Sequence, residues 1–262
     1  MTRIERTLPP LFMHVVESLR RRADTSTAGN DADEPQPLRA ALFSSDQMVA
    51  YGKELAQHHR LAKNAAPDRL LARLASNERV LERSVQRMRD AVSADHAVTP
   101  GAEWLLDNKY LIDEEIRTAR RHLPRGYSHK LPRLAESGGQ PEGTPRIYDL
   151  ALQSVAHADG RLTGETLSRF VAAYQVVQPL QLGELWAFPI MLRLALIENL
   201  RRVSVQVAQS LEDRRLADTW AAAMLQAADE RPSDLILVIA DMARAGLPLR
   251  SSAFVAEFAR RL

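Results

Sequence analysis

Residues 183–203 read GELWAFPIMLRLALIENLRRV, the densest apolar run in the chain. Apolar side chains fill nearly every position there, rather than only the i, i+3, i+4 places of a helix with one wet face. Charges interrupt the run at Glu184, Arg193 and Glu198, and Pro189 lies between the first two. Its longest uncharged piece, 185–192, is eight residues, against the about 20 needed to cross a bilayer. Arg193 and Glu198 would each cost about 2.5–3.5 kcal/mol on insertion. The run therefore predicts a central core helix of a soluble chain, from about 183 to about 209.

Shorter periodic segments surround it. Residues 11–22 read as an amphipathic helix, and 23–37 (ADTSTAGNDADEPQP) as a flexible linker of turn-forming residues. Ser44 and Gln47 have capping-box spacing, opening a helix that runs to about Arg60. Pro67 suits a first helical turn, and a long helix follows to about Val92. On it Leu71, Leu74, Leu81, Val85, Met88 and Val92 form a seam of alternating three and four spacing, with Glu78 as its one charge. Such a seam packs either within the chain, as a helical hairpin with 45–60, or against a second copy as a homo-oligomer. Thr99 and Pro100 start a helix whose apolar positions include Trp104, Leu105, Ile112 and Ile116, ended by Pro124.

Gly and Pro make 125–146 irregular, with aromatic and basic residues expected to clamp it onto the helices. Helices are predicted over 146–157, from the Thr163 cap through Tyr174, and over 214–230, 232–245 and 251–261. No run shows sustained strand alternation. The fold class is thus all-α: an irregular bundle of about 8–10 helices, with one highly apolar helix at its centre. Residues 1–37 form a terminal helix and linker, and 38–262 the helical domain. The last helix has no C-cap glycine, so a longer natural polypeptide is expected.

Composition narrows the chemistry. The 262 residues hold 35 Lys+Arg against 33 Asp+Glu, a net charge of +2, with no clustering of the excess, so nucleic acid is not an expected partner. Without cysteine there is no disulfide, thiolate nucleophile or Cys-ligated zinc. HExxH, P-loop, GxGxxG and GxSxG motifs are absent, and the seven histidines lack ligand spacing. DAD at 31–33 is a chance match in a linker. HADGRLTGE at 157–165 reads as a helix-turn-helix connection around Asp159 and Gly160, with a ligand site as the alternative. Glu184, Arg193 and Glu198 read as an ion-pair network, with partners expected from 113–115, Arg117 or Arg120; the alternative is an anion or sugar-phosphate pocket, or a docking point. Trp104, Tyr127, Tyr148 and Trp186 are core aromatics or sugar-stacking platforms.

Three ordered blocks carry a resemblance. They are TPGAEWLLDNKYLIDEEIRTARRHLPRGYSHKLPRL (99–134), GTPRIYDLALQSVAHADGRLTGETLSRFVAAYQ (143–175) and LGELWAFPIMLRLALIENLRRV (182–203). Together they resemble the N-terminal portion of bacterial cyclic β-1,2-glucan synthases, where EWLLDN, LPRGYY, PRVYxLA, HTDGR and ELWALPIMLRLALIENLRR are expected. Ser128, Ala158 and Phe188 depart from these patterns without altering a charge. The resemblance runs from about Pro37 to Leu262 and includes Asp159 and Arg161.

The resemblance implies a segment of a very large inner-membrane enzyme that uses UDP-glucose and a divalent metal to build and cyclise a β-1,2-glucan. That family's QxxRW motif and membrane spans have no counterpart here, since the tryptophans follow Glu103, Leu185 and Thr219. The chain is accordingly expected to be a non-catalytic scaffold or regulator, needing no cofactor itself. Its partners would be the remaining synthase domains, and its place the cytoplasmic side of the inner membrane. A free-standing cytoplasmic adaptor and a sugar- or nucleotide-binding domain are the alternatives. The candidate binding or network residues are Glu184, Arg193, Glu198, Asp159, Arg161, Trp104, Tyr127 and Trp186. No catalytic residue or metal ligand is assigned.

Overall fold

The computed structural model describes residues 43–62, 67, 69–94, 98–123, 126–136, 143–157, 162–245, 247–248 and 251–262. The helix expected at 11–22, the linker at 23–37, the boundary at 37/38 and the residues Asp159 and Arg161 lie outside the described residues.

Nine α-helices form among the described residues: α1 (Ser45–His58), α2 (Leu70–Ser93), α3 (Pro100–Asp107), α4 (Lys109–His122), α5 (Arg146–His157), α6 (Gly164–Val177), α7 (Leu182–Glu230), α8 (Leu235–Arg244) and α9 (Ser252–Arg261). Two short strands, β1 (Arg60–Leu61) and β2 (Leu134–Glu136), pair antiparallel, an element that no alternation announced.

Local chemistry explains the ends. Ser44 caps α1 through the Gln47 amide while the Gln47 side chain accepts from the Ser44 amide, a complete capping box. Thr163 and Ser251 cap α6 and α9 in the same position. The single helix expected from Pro100 breaks at Asn108, whose side-chain amide donates to the Trp104 carbonyl at 2.8 Å and closes α3. The break expected near 210–213 does not occur. That stretch holds neither Gly nor Pro, and its polar residues pair locally: Gln209 donates to Asp213 and Arg215 to Glu212. The two helices are therefore one, 49 residues long.

The described residues pack as two compact units, one of 43–86 with Glu103–Gln206, the other of Arg87–Ala102 with Val207–Leu262. Helices α2, α3 and α7 contribute residues to both. In the first unit Met48, Leu74, Leu81, Leu105, Tyr148, Phe170 and Tyr174 are fully buried or nearly so. Each such side chain contributes about 1.5–3 kcal/mol of transfer free energy. Helix α1 packs on α6, where Gly52 lets the backbones close: a Cβ at position 52 would stand 2.9 Å from the Phe170 carbonyl oxygen. Arg133 is the clamp on the irregular stretch, donating to the carbonyls of Pro67, Ser128 and Gly143. In the second unit Ala217, Ala221, Met224, Leu235, Phe254, Val255 and Phe258 form the core.

The seam of α2 is an interior surface of the chain: Leu74, Leu81, Val85 and Met88 are buried, while Val92 is exposed. Glu78 meets Arg120 of α4. No helix among the described residues is long and apolar enough to cross a membrane. The central run is not buried all round either. Ala187, Ile190, Met191, Leu194 and Ile197 face the core, but Leu182, Trp186 and Leu196 are 61%, 74% and 44% exposed.

Candidate functional site

Glu184 is the third residue of α7, and its carboxylate turns back to accept from the Gln181 amide at 2.9 Å. That is half of a capping box, and a negative charge at this helix end is favoured by the helix dipole. The same carboxylate takes a two-pronged contact from Arg146, the first residue of α5: Nε at 2.9 Å and Nη2 at 2.5 Å. Both side chains are buried, at 4% and 0% exposure. Arg146 Nη1 donates to Gln178, whose own amide donates to the carbonyls of Ala56 and His59, closing the end of α1. One ion pair thus joins α1, α5, α6 and α7.

Glu198, four turns further along α7, is 2% exposed. Arg73 of α2 reaches Oε2 with Nε and Oε1 with Nη2, both at 2.5 Å. Asn77 and the Tyr148 hydroxyl also donate to Oε2, and Arg202 donates to Oε1 at 3.2 Å. Five donors fill the about four lone-pair sites of a carboxylate. Burial alone would raise the Glu198 pKa; the hydrogen bonds and attraction of Arg73, then the bonds from Asn77 and Arg202, outweigh it and hold it at about 2. Burial pushes the Tyr148 phenol up, and the Glu198 charge adds to that. The Arg73 guanidinium also lies 5.7 Å from the Tyr148 ring centroid.

Arg193 does not share this core. It pairs with Glu115 of α4 at 2.6 Å, and the two side chains are 34% and 55% exposed. The pair sits in an apolar groove of about 490 Å³ lined by Trp104, Leu111, Pro189 and Leu196. Trp104 is 54% exposed, so neither it nor Trp186 is the core aromatic that helical spacing suggests. Tyr127 opens a short 3-10 turn and is half-buried. Tyr148 is buried and bonded to Glu198, which removes it from the stacking candidates.

A second buried chain of polar groups lies beside Arg146. The Tyr174 hydroxyl stands 2.8 Å from His59 Nδ1, and His59 Nε2 stands 3.1 Å from Asp149 Oδ2. Burial pushes the Tyr174 phenol up to about 12, so the hydroxyl keeps its proton at neutral pH. The other Asp149 oxygen is buried without a partner. In the second unit a cleft of about 820 Å³ is lined by charges, most of them matched: Arg215 with Glu212, Arg260 with Glu257 and Arg261 with Asp218. Among the described residues, no group of three His, Asp or Glu is placed to hold a metal ion.

The structure therefore gives Glu184, Arg193 and Glu198 separate partners. Glu115 for Arg193 falls in the expected acidic cluster; Arg117 and Arg120 are not the partners of Glu184 and Glu198. Arg73, Asn77, Tyr148 and Arg146 escaped the sequence reading because they lie 38 to 125 residues away. Arg202 was legible: it stands four residues after Glu198, the spacing of a helical ion pair.

No family model matches the chain. The cyclic beta-(1,2)-glucan synthase NdvB of Rhizobium meliloti (strain 1021) is 36% identical to it over 202 residues, 77% of this chain. The chain spans about 7% of that relative's length. The resemblance read from the ordered blocks stands, and it is a resemblance to one segment of a much longer protein.

Proposed function

We propose that this chain, homologous over 202 residues to a segment of a cyclic β-(1,2)-glucan synthase, is the helical N-terminal segment of such an enzyme. Its role is that of a scaffold or regulator of the membrane glucosyltransferase module, and not of a catalyst. The observation that carries this reading is the state of Glu198. All its acceptor capacity is filled by groups of α2, α5 and α7, so it fixes helices in register and has none left for a reacting group.

The groove beside Trp104 supports a docking role. Its occupant in this reading is another part of the synthase polypeptide, because the homologous segment is about 7% of the relative's length and the groove leaves Trp104, Leu111 and Leu196 about half exposed. UDP-glucose and the divalent metal then belong to the rest of the synthase, at the cytoplasmic face of the inner membrane.

The test is an immunoblot of the native host, separated into membrane and soluble fractions and probed with antibody to this chain. A membrane band far above 29.3 kDa is expected. A soluble band near 29.3 kDa overturns the reading and identifies a free-standing protein, for which the adaptor role leads.

A further inference from the structure

Glu198, Arg201 and Arg202 stand at i, i+3 and i+4 of α7 and so share one face of the helix. Arg73 joins them from α2. These four groups carry three positive charges and one negative. Glu198 has no acceptor capacity left after Arg73, Arg202, Asn77 and Tyr148 have bonded to it. Arg201 is consequently the arginine without an acceptor. Its side chain makes no hydrogen bond or ion pair among the described residues, and its Nε is buried without a partner. The Arg202 Nε is likewise buried and unpartnered.

Cationic charge in a partly buried position is costly when burial weakens its hydration and no hydrogen bond replaces the lost contact. Burial and then the neighbouring Arg202 and Arg73 charges lower the Arg201 pKa, with Glu198 opposing them. The cluster remains reachable from solvent: the Arg73 and Arg202 side chains are 27% and 24% exposed, and Arg201 is half-buried.

We infer that Arg201, with Arg202 and Arg73 beside it, forms a binding site for a soluble phosphate-bearing ligand, a phosphomonoester or diphosphate. The surplus of two positive charges matches the charge of a phosphoryl dianion, about −1.5 to −2 at neutral pH. Planar guanidinium groups suit its oxygens. The site lies within one unit of the fold and is independent of the groove and of the scaffold role.

The experiment is calorimetric titration of the intact chain with inorganic pyrophosphate, at ionic strength held constant with chloride. Saturable binding of one pyrophosphate per chain is expected, weakened at least tenfold in Arg201→Gln and retained in part in Arg201→Lys. Without ligand, Arg201→Gln is expected to melt no lower than the parent, because the removed charge has no partner. A flat titration of the parent chain overturns the inference. So does equal affinity in Arg201→Gln, or equal weakening in Arg89→Gln, an exposed arginine elsewhere on α2.

Discussion

Arg73 grips both oxygens of Glu198 at 2.5 Å across 125 residues of sequence. Glu198→Gln keeps the shape of the side chain and removes the anion that three arginines surround. Breaking a buried pair in this way costs about 3–5 kcal/mol, which in a chain of this size lowers Tm by roughly 10 °C. Thermal unfolding followed by circular dichroism measures it, and a shift of less than about 2 °C would contradict the network's structural role.

The same carboxylate sets an acid limit. Its ordinary pKa of 4.5 is depressed to about 2 in the fold, so the folded state binds its proton less readily than the unfolded one. The stabilisation is complete above about pH 4.5 and drains away as pH falls towards 2. Urea midpoints measured across that window should fall more steeply for the parent chain than for Glu198→Gln, and the two curves should converge at its acid end.

Two arginines of similar appearance in the sequence should differ in weight. Arg146→Ala strands the fully buried Glu184 and also releases the end of α6, for a loss of about 3–5 kcal/mol. Arg193→Ala opens a pair that is 34% and 55% exposed, worth under about 1 kcal/mol. Denaturant titrations of the two variants rank them, and equal losses would refute the assignment of Arg193 to the surface.

Gly52→Ala runs against helix propensity. An alanine in mid-helix gains about 0.5–1 kcal/mol over glycine. Here its Cβ would stand 2.9 Å from the Phe170 carbonyl oxygen and 3.1 Å from the Phe170 ring, an overpacking worth about 1–3 kcal/mol. A net loss of stability is expected in thermal unfolding.

Trp104→Ala tests the groove without disturbing the core. The side chain is 54% exposed, so stability should change by no more than about 0.5 kcal/mol. On the proposed scaffold role, glucan synthesis from UDP-glucose by host membranes carrying the substitution should fall, while an alanine at the solvent-facing Ile236 of the other unit, 72% exposed, leaves it unchanged.

The sequence told most where the physics is local. Ser44 and Thr163 fixed helix starts because a cap is settled within three residues. Arg146–His157 matched its expected bounds because breakers flank it. Asn108 was missed because the residue that closes α3 is neither Gly nor Pro. The fusion into α7 was missed because the polar run at 209–215 resembles a loop until its i, i+3 and i, i+4 pairs are seen. The candidate charges were legible as a puzzle, and so was the acidic cluster that supplies Glu115 to Arg193; the partners Arg146 and Arg73 of the two buried carboxylates were not. An apolar run shows that a buried charge needs a counter-ion, but the helix that brings Arg73 or Arg146 is chosen by tertiary packing. The exposure of Trp186 was hidden for the same reason: a helix apolar on every side does not reveal which side has been left uncovered.

The two buried pairs close loops of very different size, 38 residues for Arg146–Glu184 and 125 for Arg73–Glu198. Loop-closure entropy grows with the logarithm of length and favours the shorter by about 1 kcal/mol. Glu184 also caps its own helix, so α7 gains a stable first turn at the moment Arg146 arrives. Assembly should therefore begin with α5, α6 and the start of α7, and α2 should dock after them, when Arg73 meets a carboxylate that Tyr148 and Arg202 already hold in place. On a ribosome α2 emerges long before its counter-charge exists, and it must wait, arginine in water, until 125 further residues have been made.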